Sequence, residues 1–131
     1  GDYVMFVKVE LNNNMNFAKE VIEKGGIVYT TGDDRRIGKT SFIIAHAVRT
    51  GKTIVVHSHN KRRDLIKRCK DNGYTHIPEI IVSDPDGSFN DGYKNPNGLL
   101  IDEAIHRDTY DRLRMFGINE IAGFLDENRW A

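Results

Sequence analysis

With one cysteine, Cys69, in 131 residues, the chain has no means of forming an intramolecular disulfide. Cys69 falls beside Leu65 and Ile66 in a helical pattern, so it reads as a small buried hydrophobe rather than a nucleophile, and a reduced, intracellular setting is expected. Net charge is equally absent. Nineteen Lys and Arg balance nineteen Asp and Glu, so no long-range field draws the chain as a whole to nucleic acid or an anionic membrane, and a polyanion site must be local. No stretch reaches the roughly 20 apolar residues of a membrane span, and the N-terminus lacks a charged segment leading into a signal-type apolar core. A cytoplasmic protein without a membrane partner is the expectation. Internal repeats and low-complexity tracts are missing too. Residues 1–131 are expected to form one domain, burying roughly two thirds of the surface of the unfolded chain without a disulfide or structural metal.

What is present is an alternation of strand-like and helix-like segments. Tyr3 to Leu11 reads as a strand, Asn12-Asn13-Asn14 as a turn and helix cap, and Phe17, Ala18, Val21 and Ile22 as one helical face ending at Gly25-Gly26. Ile27 to Thr31 is a second strand. An apolar-rich helix through Val48 stops near Thr50-Gly51, Thr53 to His57 is a strand, and a helix from about Lys61 to Asp71 closes at Asn72-Gly73. Ile80-Ile81-Val82 and Leu99-Leu100-Ile101 are short buried runs, separated by a polar segment from Ser83 to Gly98 too rich in Asp, Asn, Gly and Pro for regular structure. A helix is expected from about Glu103 to Met115. Ile118 to Trp130 fits a further helix, and Ile121 to Leu125 fits a short edge strand equally well. The alternation predicts an α/β layered fold with a largely parallel sheet.

The chemistry concentrates in two places. Gly38-Lys39-Thr40 lies between the Ile27–Thr31 strand and the helix opened by Ser41-Phe42-Ile43, where backbone N–H groups and the positive helix end suit a polyphosphate. Gly38 permits close backbone approach, Lys39 reaches the phosphates and Thr40 offers a hydroxyl to Mg²⁺. Leu99-Leu100-Ile101 runs into Asp102-Glu103. Asp102 is the candidate metal contact, and Glu103 is the candidate base that orients or deprotonates a water for attack on a γ-phosphate.

In Gly32 to Thr40 as a Walker A element and Leu99 to Glu103 as Walker B, the chain resembles the P-loop NTPases. The Asp-Glu pair resembles the additional-strand, catalytic-glutamate division, and the compact size resembles small phage-type ATPases. The resemblance implies a three-layer P-loop fold with a mainly parallel sheet. It also implies ATP with Mg²⁺ held by Gly32, Arg36, Ile37, Gly38, Lys39, Thr40 and Ser41, metal contact from Thr40 and Asp102, and hydrolysis assisted by Glu103 and Lys39. The sequence departs from the pattern in the loop: four residues usually separate the glycines, whereas five separate Gly32 and Gly38, and Asp33 and Asp34 bring negative charge that Arg35 and Arg36 partly offset. The chain after Glu103 is expected to leave little room for the strand and polar sensor residue that the division carries there, and a two-domain helicase is not expected of these 131 residues. Rapid turnover would call on a neighbouring subunit's arginine, which makes a homo-oligomer an expected partner state.

Lys61, Arg62, Arg63, Lys67, Arg68 and Lys70 crowd one helix. They are either a solvated face or a DNA or RNA backbone contact made by Lys61, Arg62, Arg63 and Lys67. His57 and His59 read as loop histidines near a ligand edge, and Asp84, Asp86 and Asp91 as turn residues rather than calcium ligands. Arg107, Arg112 and Arg114 fit surface pairing with Asp108 and Asp111, or a trans finger. The expected function is a small Mg²⁺-dependent ATPase in nucleic-acid metabolism. Its rivals are a nucleotide or nucleoside kinase and a degenerate, non-hydrolysing P-loop binding module.

Overall fold

The computed structural model describes residues 6–8, 15–30, 38–83, 96–102, 105, 107–115 and 120–126. Along them run β1 (Phe6–Lys8), α1 (Met15–Glu23), β2 (Ile27–Thr30), α2 (Lys39–Thr50), β3 (Thr53–Val56), α3 (His59–Asp71), β4 (Ile80–Val82), β5 (Leu99–Ile101), α4 (Arg107–Met115) and β6 (Ile121–Asp126). The boundaries follow local chemistry. α1 closes where Gly26 N–H donates to the Val21 carbonyl at 2.8 Å, and α2 where Gly51 N–H donates to Ala47 at 2.9 Å. α3 begins earlier than the sequence predicts, because Ser58 is its cap: the Ser58 hydroxyl accepts from Lys61 N–H at 3.1 Å.

All six strands are parallel, in the order β1-β2-β6-β5-β3-β4. The crossovers through α1, α2 and α3 all step in one direction across the sheet, whereas the crossover through α4 steps back. Right-handed crossovers must then put α4 on the face opposite the other three, and packing follows that rule. Ala18, Val21 and Ile22 of α1, Ile43, Ile44 and Ala47 of α2, and Leu65 and Cys69 of α3 cover Val28, Ile54, Val56, Leu100, Ala122 and Phe124. On the other face Ile105, with Tyr110 and Leu113 of α4, covers Ile27, Val55, Leu99, Ile101, Ile121 and Leu125. The period of two along each strand divides the apolar residues between the two layers. The result is a three-layer α/β architecture.

Within the segment from 118 to 130 the strand alternative holds over Ile121–Asp126, and its place in the sheet is corrected. It is neither a helix nor an edge strand over Ile121–Asp126; it pairs with β2 on one side and β5 on the other, with Ile27 opposite Gly123 and Leu99 opposite Ile121. A strand covered on both faces has no polar alternation to reveal it. Room for a strand after Asp102, which the sequence reading found lacking, is therefore present, and the strand is central.

Candidate functional site

Because every strand runs the same way, their C-terminal ends share one edge, the edge at which ligands lie in open α/β sheets. That edge collects Gly38 to Ser41 at the start of α2, Ser58 at the start of α3, Ser83 after β4, and Asp102 after β5. The connections leaving β2 and β5 cross the sheet in opposite senses, and such a reversal is where a ligand crevice opens.

Gly38 caps α2 in the left-handed region, φ 91° and ψ 15°, and brings no side chain to the helix end. A residue with a Cβ adopts this conformation only with strain. Its carbonyl accepts from Phe42 N–H at 3.0 Å, the first helical bond, so the amides of the opening turn point toward the sheet edge. Lys39 is only 8% exposed, a depth at which a lysine is held only where its polar head is met by other groups. Together with Thr40, Ile43, Ile54, Leu65, Phe124 and Asp102, it lines a small cavity of about 10 Å³, room for about one water molecule. Lys39 and Thr40, far from Asp102 in sequence, are thus brought to one place with it.

Asp102 is anchored by its backbone, whose N–H donates to the Val55 carbonyl at 3.0 Å. Its Oδ2 lies 3.9 Å from the Lys61 ammonium, with both side chains largely shielded from solvent. Lys61 belongs to α3, which has no acidic residue in its first turn. Cations at a helix start oppose the dipole, so this end of α3 reinforces the positive potential supplied by the start of α2. Between the two helices lies an open groove of about 580 Å³, lined by Thr40, Ser41, Lys61, Lys67, Arg68 and Asp71 among others.

The basic helix divides. Lys61 and Lys67 face this groove, and Lys67 also pairs with Asp71 at 3.2 Å. Arg62 Nε donates to the Ile80 carbonyl at 2.8 Å and so ties α3 to β4, and Arg63 is bonded to Asn60. His57 and His59 are exposed at the edge. Gly32, Arg36, Ile37 and Glu103, like Asp84, Asp86 and Asp91, lie outside the described residues. The approach of Lys61 to Asp102 is the feature sequence reasoning missed. Its signal is topological: β3 lies beside β5, so the helix after β3 starts next to the end of β5.

Away from this edge, burial, then the charges of Lys52 and Arg49, hold His46 below its ordinary pKa against an opposing effect of Glu23. Burial likewise pushes the Cys69 thiol up, as expected of an inert core cysteine. Among the described residues no helix is long and apolar enough to cross a membrane, and no group of three or more His, Cys, Asp or Glu is placed to hold a metal. Comparison with family models, curated proteins and solved structures finds no match to this chain.

Proposed function

We propose that the chain binds ATP with Mg²⁺ and hydrolyses it, as a small P-loop ATPase acting in nucleic-acid metabolism. The observation that carries this reading is the convergence of Lys39, Thr40 and Asp102, which border one small, mostly apolar cavity at the C-terminal edge of a parallel sheet. Lys39 supplies positive charge to the phosphates, the opening turn of α2 with Ser41 supplies amide donors, and the likeness to a Walker A element assigns Gly32, Arg36 and Ile37 to the same ligand. Support also comes from β6, which stands as an additional strand between the phosphate-loop strand and the strand that ends at Asp102.

The residues suit magnesium. A hydroxyl at Thr40 and a carboxylate at Asp102 are hard oxygen donors, and Mg²⁺ is characteristically held by one or two carboxylates with substrate phosphates rather than by an all-protein cage. Bound there, the ion would neutralise charge developing on the transferred phosphoryl group. Glu103 follows Asp102 directly and takes the role of orienting the attacking water.

Isothermal titration of ATP with Mg²⁺ tests the reading. Lys39→Ala is expected to lose at least tenfold in affinity, whereas Glu103→Gln keeps affinity and loses phosphate release. ATP binding that ignores Lys39 would sink it. A second reading, a nucleotide or nucleoside kinase, draws on the groove beside Thr40 and Ser41, which is large enough for a phosphorylated acceptor. Phosphate appearing on an added nucleoside or nucleotide rather than in water would favour it.

A further inference from the structure

Lys61 belongs to two features at once. Its ammonium stands 3.9 Å from Asp102 Oδ2, and its side chain lines the groove between α2 and α3. A hydrogen-bonded ammonium–carboxylate pair closes to about 2.7–2.9 Å, so here the two charges stand side by side without being locked. Both roots are nevertheless fixed: Lys61 N–H donates to Ser58 Oγ, and Asp102 N–H to the Val55 carbonyl. What can move is the flexible lysine stem. α3 gains nothing from a cation in its opening turn, and a residue kept against local preference is expected where a site needs it.

We propose that Lys61 couples a phosphate-bearing ligand in the groove to the divalent cation at Asp102. With its ammonium beside the carboxylate, Lys61 competes with Mg²⁺ for that oxygen. A phosphate in the groove draws the ammonium toward itself and so removes this one competitor of the cation at Asp102. Each ligand therefore tightens the other by the same factor. The recognised chemistry is a phosphate ester, carried either by a nucleic-acid strand or by a nucleoside monophosphate. The inference rests on the reading of Asp102 as a metal contact, but not on ATP being bound.

The sign of the effect makes it testable, since Mg²⁺ ordinarily weakens protein–nucleic-acid binding by competing for phosphates. Binding is measured at constant ionic strength, with Mg²⁺ or with chelator, for two probes: a labelled oligodeoxythymidylate of about ten nucleotides by fluorescence anisotropy, and thymidine monophosphate by calorimetry. In wild type, Mg²⁺ is expected to tighten one probe roughly two- to fivefold, the range set by a partly exposed ion pair. Whichever probe responds identifies the source of the phosphate. Lys61→Ala should bind that probe more weakly and lose the Mg²⁺ gain, Lys61→Arg should restore both, and Asp102→Asn should bind the probe but lose the gain. Circular dichroism of each variant verifies that the fold is intact. Mg²⁺ that loosens or leaves unchanged both probes in wild type, or an equal gain in Lys61→Ala, overturns the proposal. Neither arm contains ATP, so that failure leaves the Lys39-dependent binding of ATP standing, and loss of the latter is read from its own titration.

Discussion

Between β5 and β6 the backbones approach until position 123 has no space for a side chain. A Cβ on Gly123 would press on the Ile101 carbonyl and lie 2.8 Å from Ile101 N, and the backbone there sits at φ 128°. Gly123→Ala is therefore expected to destabilise by at least about 2 kcal/mol, from steric conflict and strain together. The urea midpoint measures it, and a midpoint like that of wild type would show that the two strands can part without loss. His46 offers a test by pH. Its ring stacks on Phe42 with centroids 5.7 Å apart, its Nδ1 meets Arg49 at 2.8 Å, and among the described residues its buried Nε2 has no partner. Because the folded pKa is lowered, the unfolded chain takes up the proton more readily. The stabilisation is complete above the unfolded value near 6.5 and is lost as pH falls below it. His46→Leu should flatten the fall of the urea midpoint between about pH 7.5 and 5.5; parallel curves would remove His46 as its source. Single residues were also where the site was most legible. Gly38, Lys39, Thr40 and Asp102 announce themselves by type and by position next to apolar runs, whereas Lys61 looks like any other cation of a basic helix until the sheet order sets it beside Asp102.

At the scale of the element, α2 and α3 start in different ways and end up doing related things. α2 starts on a glycine that offers no capping side chain, while α3 starts on Ser58, whose hydroxyl takes the Lys61 amide. Ser58→Ala is expected to cost about 1 kcal/mol. It should also speed hydrogen exchange at the start of α3 before the core strands respond. Unchanged exchange at Lys61 would mean that the cap contributes nothing. The sequence bounded β4 and β5 where they stand, because each is an apolar run closed by polar or turn residues. It placed the start of α3 too late because His59 and Asn60 carry no apolar periodicity, and it ran α4 through Ile105, which stands outside the helix Arg107–Met115. At β6 the sequence left helix and edge strand open for the opposite reason: its apolar residues serve both faces, so neither the strand period nor the helix period stands out, and only the pairing shows the strand to be central.

Across the whole molecule, a net charge of zero coexists with a gathering of cations at one edge among the described residues. Parallel strands place both helix starts, Lys39 and Lys61 at one side of the sheet, so the field is local and short in range. That geometry limits how strongly salt can act on any phosphate ligand. If the groove cations Lys61, Lys67 and Arg68 each meet one phosphate of a single strand, the logarithm of affinity should fall with the logarithm of salt at a slope of roughly −2, from about 0.7 per neutralised phosphate. A strand tracking the whole basic helix would give a slope nearer −4, and Arg62 and Arg63, which do not line the groove, are not expected to contribute. Anisotropy titrations of an oligodeoxythymidylate between about 50 and 200 mM salt measure the slope. Arg68→Ala should reduce its magnitude by about 0.7, and Arg63→Ala should leave it unchanged. A slope that falls equally for both variants would move the contact surface from the groove to the outer face of α3.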